Sequence, residues 1–151
     1  MKFSFGRKSK IETKKTVLFV CVENAGRSQM AEGFFRKYAP DGYDPVSAGT
    51  KPTTHINPVV MEAMKEIGID ISQQRPKEIT EDMMRNSDKI INMGCMDENF
   101  CPTFFIPNVI DWGMEDPKDK PIARVREIRD EIERRIKELA TAVIAKEDNS
   151  K

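Results

Sequence analysis

From Thr16 to Val22 the chain is almost unbroken in apolar residues: Val17, Leu18, Phe19 and Val20 run into Cys21 and Val22. A continuous apolar run rich in β-branched residues marks a strand covered on both faces, so this segment reads as the first and central strand of a parallel sheet. The period then changes. Beyond Ser28, Met30, Ala31, Phe34, Phe35 and Tyr38 recur at helical spacing, and Pro40 with Gly42 closes the helix. Tyr43 to Ser47 reads as a short second strand, Gly49 to Pro58 as a loop rich in Thr, Pro and Asn, and Val59 to Ile67 as a helix stopped at Gly68. Ile69-Asp70-Ile71 is expected to lead outward. Thr80 ahead of Glu81 and Asp82 starts a further helix, because a hydroxyl cap and acidic first-turn residues suit its free N–H groups. Lys89 to Met93 follows as a third strand, and Phe104 to Ile110 as a fourth despite Pro107. From Ile122 onward, Val125, Ile128, Ile132, Ile136, Leu139 and Val143 form the stripe of one long amphipathic helix. Its polar face mixes Arg and Glu and reads as a solvated surface laced with ion pairs.

This alternation predicts an α/β fold, a doubly wound four-stranded parallel sheet flanked by helices, with its ligand site at the carboxyl ends of the strands. Cys21 falls at such an end. The 151 residues suit one core. Residues 1–15 hold Lys2, Arg7, Lys8, Lys10, Lys14 and Lys15 against Glu12 and read as a flexible basic tail, leaving 16–151 as a single catalytic domain. With 25 basic and 25 acidic side chains the net charge is zero, so the overall balance implies neither nucleic acid nor an anionic membrane as partner. No apolar run approaches the roughly 20 residues of a membrane helix, and the basic start lacks the apolar stretch of a secretory signal. A cytoplasmic location is expected. Three cysteines, an odd number, favour reduced, reactive or metal-binding thiols over a static disulfide framework.

The chemistry concentrates behind the first strand. A short loop between a strand end and a helix N-terminus turns backbone N–H groups onto an anion, where the helix dipole also favours negative charge. Val22, Glu23, Asn24, Ala25, Gly26 and Arg27 would form this oxyanion cradle, with Cys21 at its base as a thiolate nucleophile. Arg27 offers a planar fork for two oxygens of a tetrahedral anion, and Ser28 a hydroxyl for the sulfur. Asn24 tolerates the left-handed backbone that a tight loop needs. A bland reading stands beside this one, since buried cysteine is often a small hydrophobe. Cys95 and Cys101 are open to two readings, further reactive thiols or a zinc site with Cys21 or His55, although five intervening residues exceed the usual gap between paired ligands. By itself Asp116, before Pro117, is a turn aspartate. Trp112 reads as packing, and His55 as structural or exposed.

The stretch Cys21-Val22-Glu23-Asn24-Ala25-Gly26-Arg27-Ser28-Gln29-Met30-Ala31-Glu32 resembles the catalytic loop and first helix of the low-molecular-weight tyrosine phosphatase fold, in its branch of thioredoxin-coupled arsenate reductases. Ser47-Ala48-Gly49-Thr50, Gly68-Ile69-Asp70-Ile71-Ser72, Met93-Gly94-Cys95, Cys101-Pro102, Trp112-Gly113 and Asp116-Pro117 follow in the family's order, over about residues 16 to 145. The resemblance implies that Cys21 attacks arsenate, Cys95 displaces arsenite by forming a disulfide with Cys21, and Cys101 resolves that disulfide. Thioredoxin or a similar dithiol protein would then reduce Cys95–Cys101, with no bound metal or organic cofactor. The same resemblance makes Asp116 the general acid. Sequential thiol exchange requires Cys95 to approach Cys21 and then Cys101 within about 7 Å between Cα atoms, so residues 94 to 107 are expected at the low-stability end of the structure. A phosphatase acting on phosphomonoesters is the first rival, and a non-catalytic oxyanion-binding or redox-sensing protein the second. Lys118, Asp119 and Lys120 stand where phosphatases of this fold carry aromatic rings, which disfavours phosphotyrosine. Glu23 beside the cradle would repel the substrate if it pointed inward, so an outward orientation is expected. Some relatives bind potassium through an acidic residue where this chain has Lys77, with Asn24, Glu32 and Ser47 completing the constellation, and the Lys77 ammonium is expected to replace that cation.

Overall fold

The computed structural model describes residues 14–94 and 109–149. Four strands, β1 (Lys15–Cys21), β2 (Tyr43–Gly49), β3 (Lys89–Gly94) and β4 (Val109–Asp111), lie in the order β2-β1-β3-β4, and every neighbouring pair is parallel. The helices are α1 (Arg27–Tyr38), α2 (Pro58–Lys65), α3 (Glu81–Asn86) and α4 (Ile122–Asn149). The chain leaves β1 for β2 on one side and returns to β3 on the other, so the strand order reverses around β1 and opens a crevice beyond its carboxyl end.

Burial explains why β1 is central. Val17, Leu18, Phe19 and Val20 are all fully buried, with alternate side chains entering opposite layers. Val17, Phe19 and Cys21 join Phe34 and Phe35 of α1, Val60 and Met64 of α2, and the α4 stripe Val125, Ile128, Ile132 and Ile136 in the large core. Leu18 and Val20 meet Ala48 and Ile90 on the other face, covered by Ile79, Met83 and Met84. The β1–β3 register slips between Val20 and Cys21, which places Cys21 opposite Gly94. Such an irregularity at a strand end re-aims the side chains beside it.

Several boundaries shift from expectation. Lys15 pairs with Tyr43 as the first residue of β1, so the sheet begins at the last residue of the expected tail, and Lys14 lies 3.6 Å from Asp44. β1 ends at Cys21, and Val22 is already loop. Ile71 does not lead outward: it is buried and packs so closely on α1 that a Cβ at Gly33 would stand 2.9 Å from its Cγ2. The expected Phe104–Ile110 strand is seen as Val109–Asp111, its first part lying outside the described residues. Also outside them lie residues 1–13, Cys95 and Cys101. Among the described residues no helix is long and apolar enough to cross a membrane.

Candidate active site

Between β1 and α1 the chain folds into a loop whose carbonyls are all taken. Thr50, Lys51, Thr53 and Asn57 donate their backbone N–H groups to the carbonyls of Cys21, Val22, Glu23 and Ala25. The Gln29 side chain donates to Asn24 O at 2.9 Å, and Met30 N to Gly26 O at 2.9 Å. A trans peptide carries its N–H opposite to its C=O, so these ties direct the loop's N–H groups towards its concave side. No side chain caps α1, and its first turn holds no acidic residue, which leaves the positive end of the helix dipole facing the same space.

At the floor lies Cys21, 2% exposed. Its Sγ is 2.9 Å from Ser28 Oγ, and Asn24 Nδ2 donates to that oxygen at 2.7 Å. Since the amide occupies a lone pair of Ser28, the hydroxyl proton is free to point at the sulfur. Asn24 has φ 52°, and its Oδ1 accepts from Lys77 N at 2.9 Å, so this buried residue braces the loop from behind. Arg27 is 8% exposed, donates to Met114 O at 3.1 Å, and reaches Asp116 Oδ2 at 3.5 Å. Gly26 lies flush against Pro117, whose Cγ would stand 2.8 Å from an added Cβ, and this contact sets Asp116 at the cradle.

Cys21, Arg27, Asp116 and Pro117 line a cavity of about 30 Å³, a space suited to one small anion. Glu23, Ala25, Gly26, Asn57 and Lys118 complete its wall. Of the residues expected at the site, Cys21, Arg27, Ser28 and Asp116 therefore converge, and Glu23, Ala25 and Gly26 border the cavity, while Val22 and Asn24 support the loop from outside it. Cys95 and Cys101 cannot be placed, as they fall outside the described residues. Glu23 pairs with Lys118 at 3.0 Å, His55 is exposed, and Trp112 packs against Phe19 with ring centroids 6.3 Å apart.

Asn57, Gly49 and Gly94 also serve the loop, in roles the sequence reading did not give them. Asn57 both caps α2 through Val59 N and holds Ala25 O through its own N–H. Gly49 ends β2 where a Cβ would meet Val22 O at 2.5 Å and Asn24 N at 2.9 Å. Gly94 lies under the Arg27 guanidinium. Asn57 before Pro58 could have been read as a helix start, and Gly49 and Gly94 stand in motifs quoted above that give no physical reason for them.

Behind the loop, Ser47 Oγ donates to Glu32 Oε1 at 2.6 Å, and Lys77 Nζ lies 3.9 Å from the same oxygen. Burial pushes the Lys77 ammonium down from its ordinary range, opposed by Glu32. A side-chain cation thus lies next to the carboxylate, where the resemblance to the family would put potassium. Activity in potassium and in sodium at equal ionic strength is expected to agree within about a factor of two, because the charge is already supplied. Strong activation by potassium in steady-state assays would overturn this.

The sequence matches the family described as low molecular weight phosphotyrosine protein phosphatase over residues 16–150. An arsenate reductase of Brevibacillus brevis is 39% identical over 131 residues, covering 86% of this chain and 97% of its own. Among solved structures, a thioredoxin-dependent arsenate reductase of Corynebacterium glutamicum superposes with a TM-score of 0.75 at 36% identity, over 96% of this chain and 73% of that one. An arginine phosphatase from Geobacillus stearothermophilus reaches a TM-score of 0.80 at 22% identity over 89% of this chain and 96% of its own, which speaks for a shared fold alone.

Proposed function

We propose that this chain, which belongs to the low molecular weight phosphotyrosine protein phosphatase family, is an arsenate reductase that works through a relay of Cys21, Cys95 and Cys101 and draws its electrons from thioredoxin or a similar dithiol protein. The observation that carries the reading is a buried cysteine beneath an anion-sized cavity, hydrogen-bonded to Ser28 and flanked by Arg27, in a chain 39% identical to an arsenate reductase.

Arsenate enters with its oxygens towards the loop N–H groups and the Arg27 fork, releasing Arg27 from Asp116. The Cys21 thiolate displaces one oxygen and a Cys21–arsenic(V) bond forms; the oxygen leaves as water with a proton that Asp116, freed from Arg27, has taken up from solvent. The Cys95 thiolate attacks the Cys21 sulfur. The S–As bond breaks with its electron pair on arsenic, so arsenite departs and a Cys21–Cys95 disulfide remains. Cys101 then attacks Cys95, frees Cys21 and leaves Cys95–Cys101 for the external dithiol. Two thiols are oxidised for each arsenic reduced from the pentavalent to the trivalent state, and the account closes.

The phosphatase rival would use the same cradle, Cys21 and Asp116, but phosphorus(V) takes no electrons from thiols under these conditions. Arsenate-dependent consumption of reductant through a thioredoxin system, followed beside hydrolysis of an aryl phosphate, separates the two. The expected result is arsenate turnover with slow ester hydrolysis. Brisk hydrolysis without arsenate turnover would make the chain a phosphatase.

A further inference from the structure

The mouth of the cavity carries an ion pair that the chemistry above does not use. Glu23 and Lys118 lie 95 residues apart, one on the catalytic loop and the other beyond Asp116, and Lys118 Nζ donates to Glu23 Oε2 at 3.0 Å. Both border the cavity. Their side chains are 31% and 56% exposed, against 2% for Cys21 at the floor, so the pair lies at the entrance and the sulfur at the bottom. The turn after Asp116 presents the lysine: Lys118 N donates to Asp116 Oδ1 at 3.0 Å, and Asp119 adopts φ 61°.

Charge accounting gives the pair its meaning. Apart from the Cys21 sulfur at its floor, four charged side chains border the cavity: Glu23 and Asp116 are negative, Arg27 and Lys118 positive. Arg27 answers Asp116. Lys118 alone answers Glu23 among the ion pairs of the described residues, while Asp119 and Asp116 act more weakly on Lys118. The hydrogen bond to Glu23 is also the main influence raising the Lys118 ammonium above its ordinary range. Without Lys118 the entrance would present two carboxylates to an incoming dianion against one guanidinium. The Glu23 carboxylate would also lose the one contact that ties it to Lys118.

Building on the oxyanion reading, we propose that Lys118 is a positioning residue for that anion: it neutralises Glu23 and holds its carboxylate away from the cradle, so that a tetrahedral dianion can enter. An exposed ion pair adds little to stability, so its removal leaves the fold intact while changing the field at the mouth. The role runs through Glu23, which makes it separable from a direct contact between lysine and ligand.

The probe is inorganic phosphate, read as protection of Cys21 in the full chain from iodoacetamide, with alkylation followed by peptide mass spectrometry. In Lys118→Met the phosphate concentration for half protection is expected to rise roughly tenfold at low ionic strength, the effect of one unbalanced charge on a dianion a few ångströms away. The loss should shrink as salt is added, since screening acts on exposed charges. Lys118→Arg should bind like the wild type, and Glu23→Gln with Lys118→Met should restore binding. Unchanged binding in Lys118→Met would overturn the proposal, and so would a double variant as weak as the single, because the lysine would then act on the anion directly. If phosphate fails to protect the wild type, the oxyanion reading itself falls, and this proposal with it.

Discussion

Replacing Cys21 by Ser is expected to abolish arsenate reduction and ester hydrolysis together, by roughly 10⁴-fold or more, as befits removal of a covalent nucleophile whose partners cannot act without it. Cys95→Ser and Cys101→Ser should remove steady-state arsenate reduction while leaving ester hydrolysis near the wild-type rate, because an ester needs the cradle, one sulfur and an acid but no electrons. Electron counting separates the last two variants. With Cys101 changed, Cys21 and Cys95 can still supply one pair of electrons, so one arsenite per chain is released and a Cys21–Cys95 disulfide accumulates. With Cys95 changed, no partner reaches the arsenic-bound sulfur in the proposed order, and no arsenite is released. Quenched single-turnover measurements of arsenite per chain, with mapping of the disulfide formed, read these outcomes directly. Continuous turnover by Cys101→Ser would show that the external dithiol attacks Cys21–Cys95 itself, and the third thiol would lose its place in the scheme.

The parts of this molecule that follow a short period were legible in its sequence. The buried run ending at Cys21, the α1 stripe from Met30 to Tyr38 and the α4 stripe from Val125 to Val143 each announce an element through local spacing, and the position of Cys21 at a strand end follows from the alternation. What escaped depends on residues distant along the chain. Ile71 sits in a polar-looking stretch, and its burial comes from joining the core against Gly33 of α1. The stretch Cys21–Gly26 matches a motif by residue type, but nothing in the motif shows that Thr50, Lys51, Thr53 and Asn57 tie its carbonyls outward. Glu23 illustrates the gap well. As a carboxylate beside an anion site it invites concern, and the answer comes from Lys118 on another loop. Site chemistry was therefore readable as residue types in order, whereas the orientation of those residues rests on tertiary contacts that no window of sequence contains.

Gly94→Ala should lower kcat/KM for arsenate on the order of 10²-fold, comparable to the loss of one preorganised oxyanion donor, with a smaller effect on stability. A Cβ at this position would stand 2.3 Å from Arg27 Nη1 and 3.3 Å from its Cζ. These atoms form the far end of a long side chain, so the guanidinium can move aside where a packed backbone could not. The fold then bears mainly the strain of a side chain at φ 143°, on the order of 1–3 kcal/mol for such sparsely populated backbone. Function loses more. Arg27 is held by Met114 O at 3.1 Å and Asp116 at 3.5 Å, and a displaced fork can no longer present two parallel donors to the anion. Arg27→Lys removes the same fork while keeping the charge, so the two substitutions should be strongly non-additive: adding Gly94→Ala to Arg27→Lys should cost far less than it does alone. Steady-state kinetics on the single and double variants, with thermal unfolding as control, tests this. Full additivity would mean that Gly94 acts by another route, through the backbone at the end of β3, and not through the arginine above it.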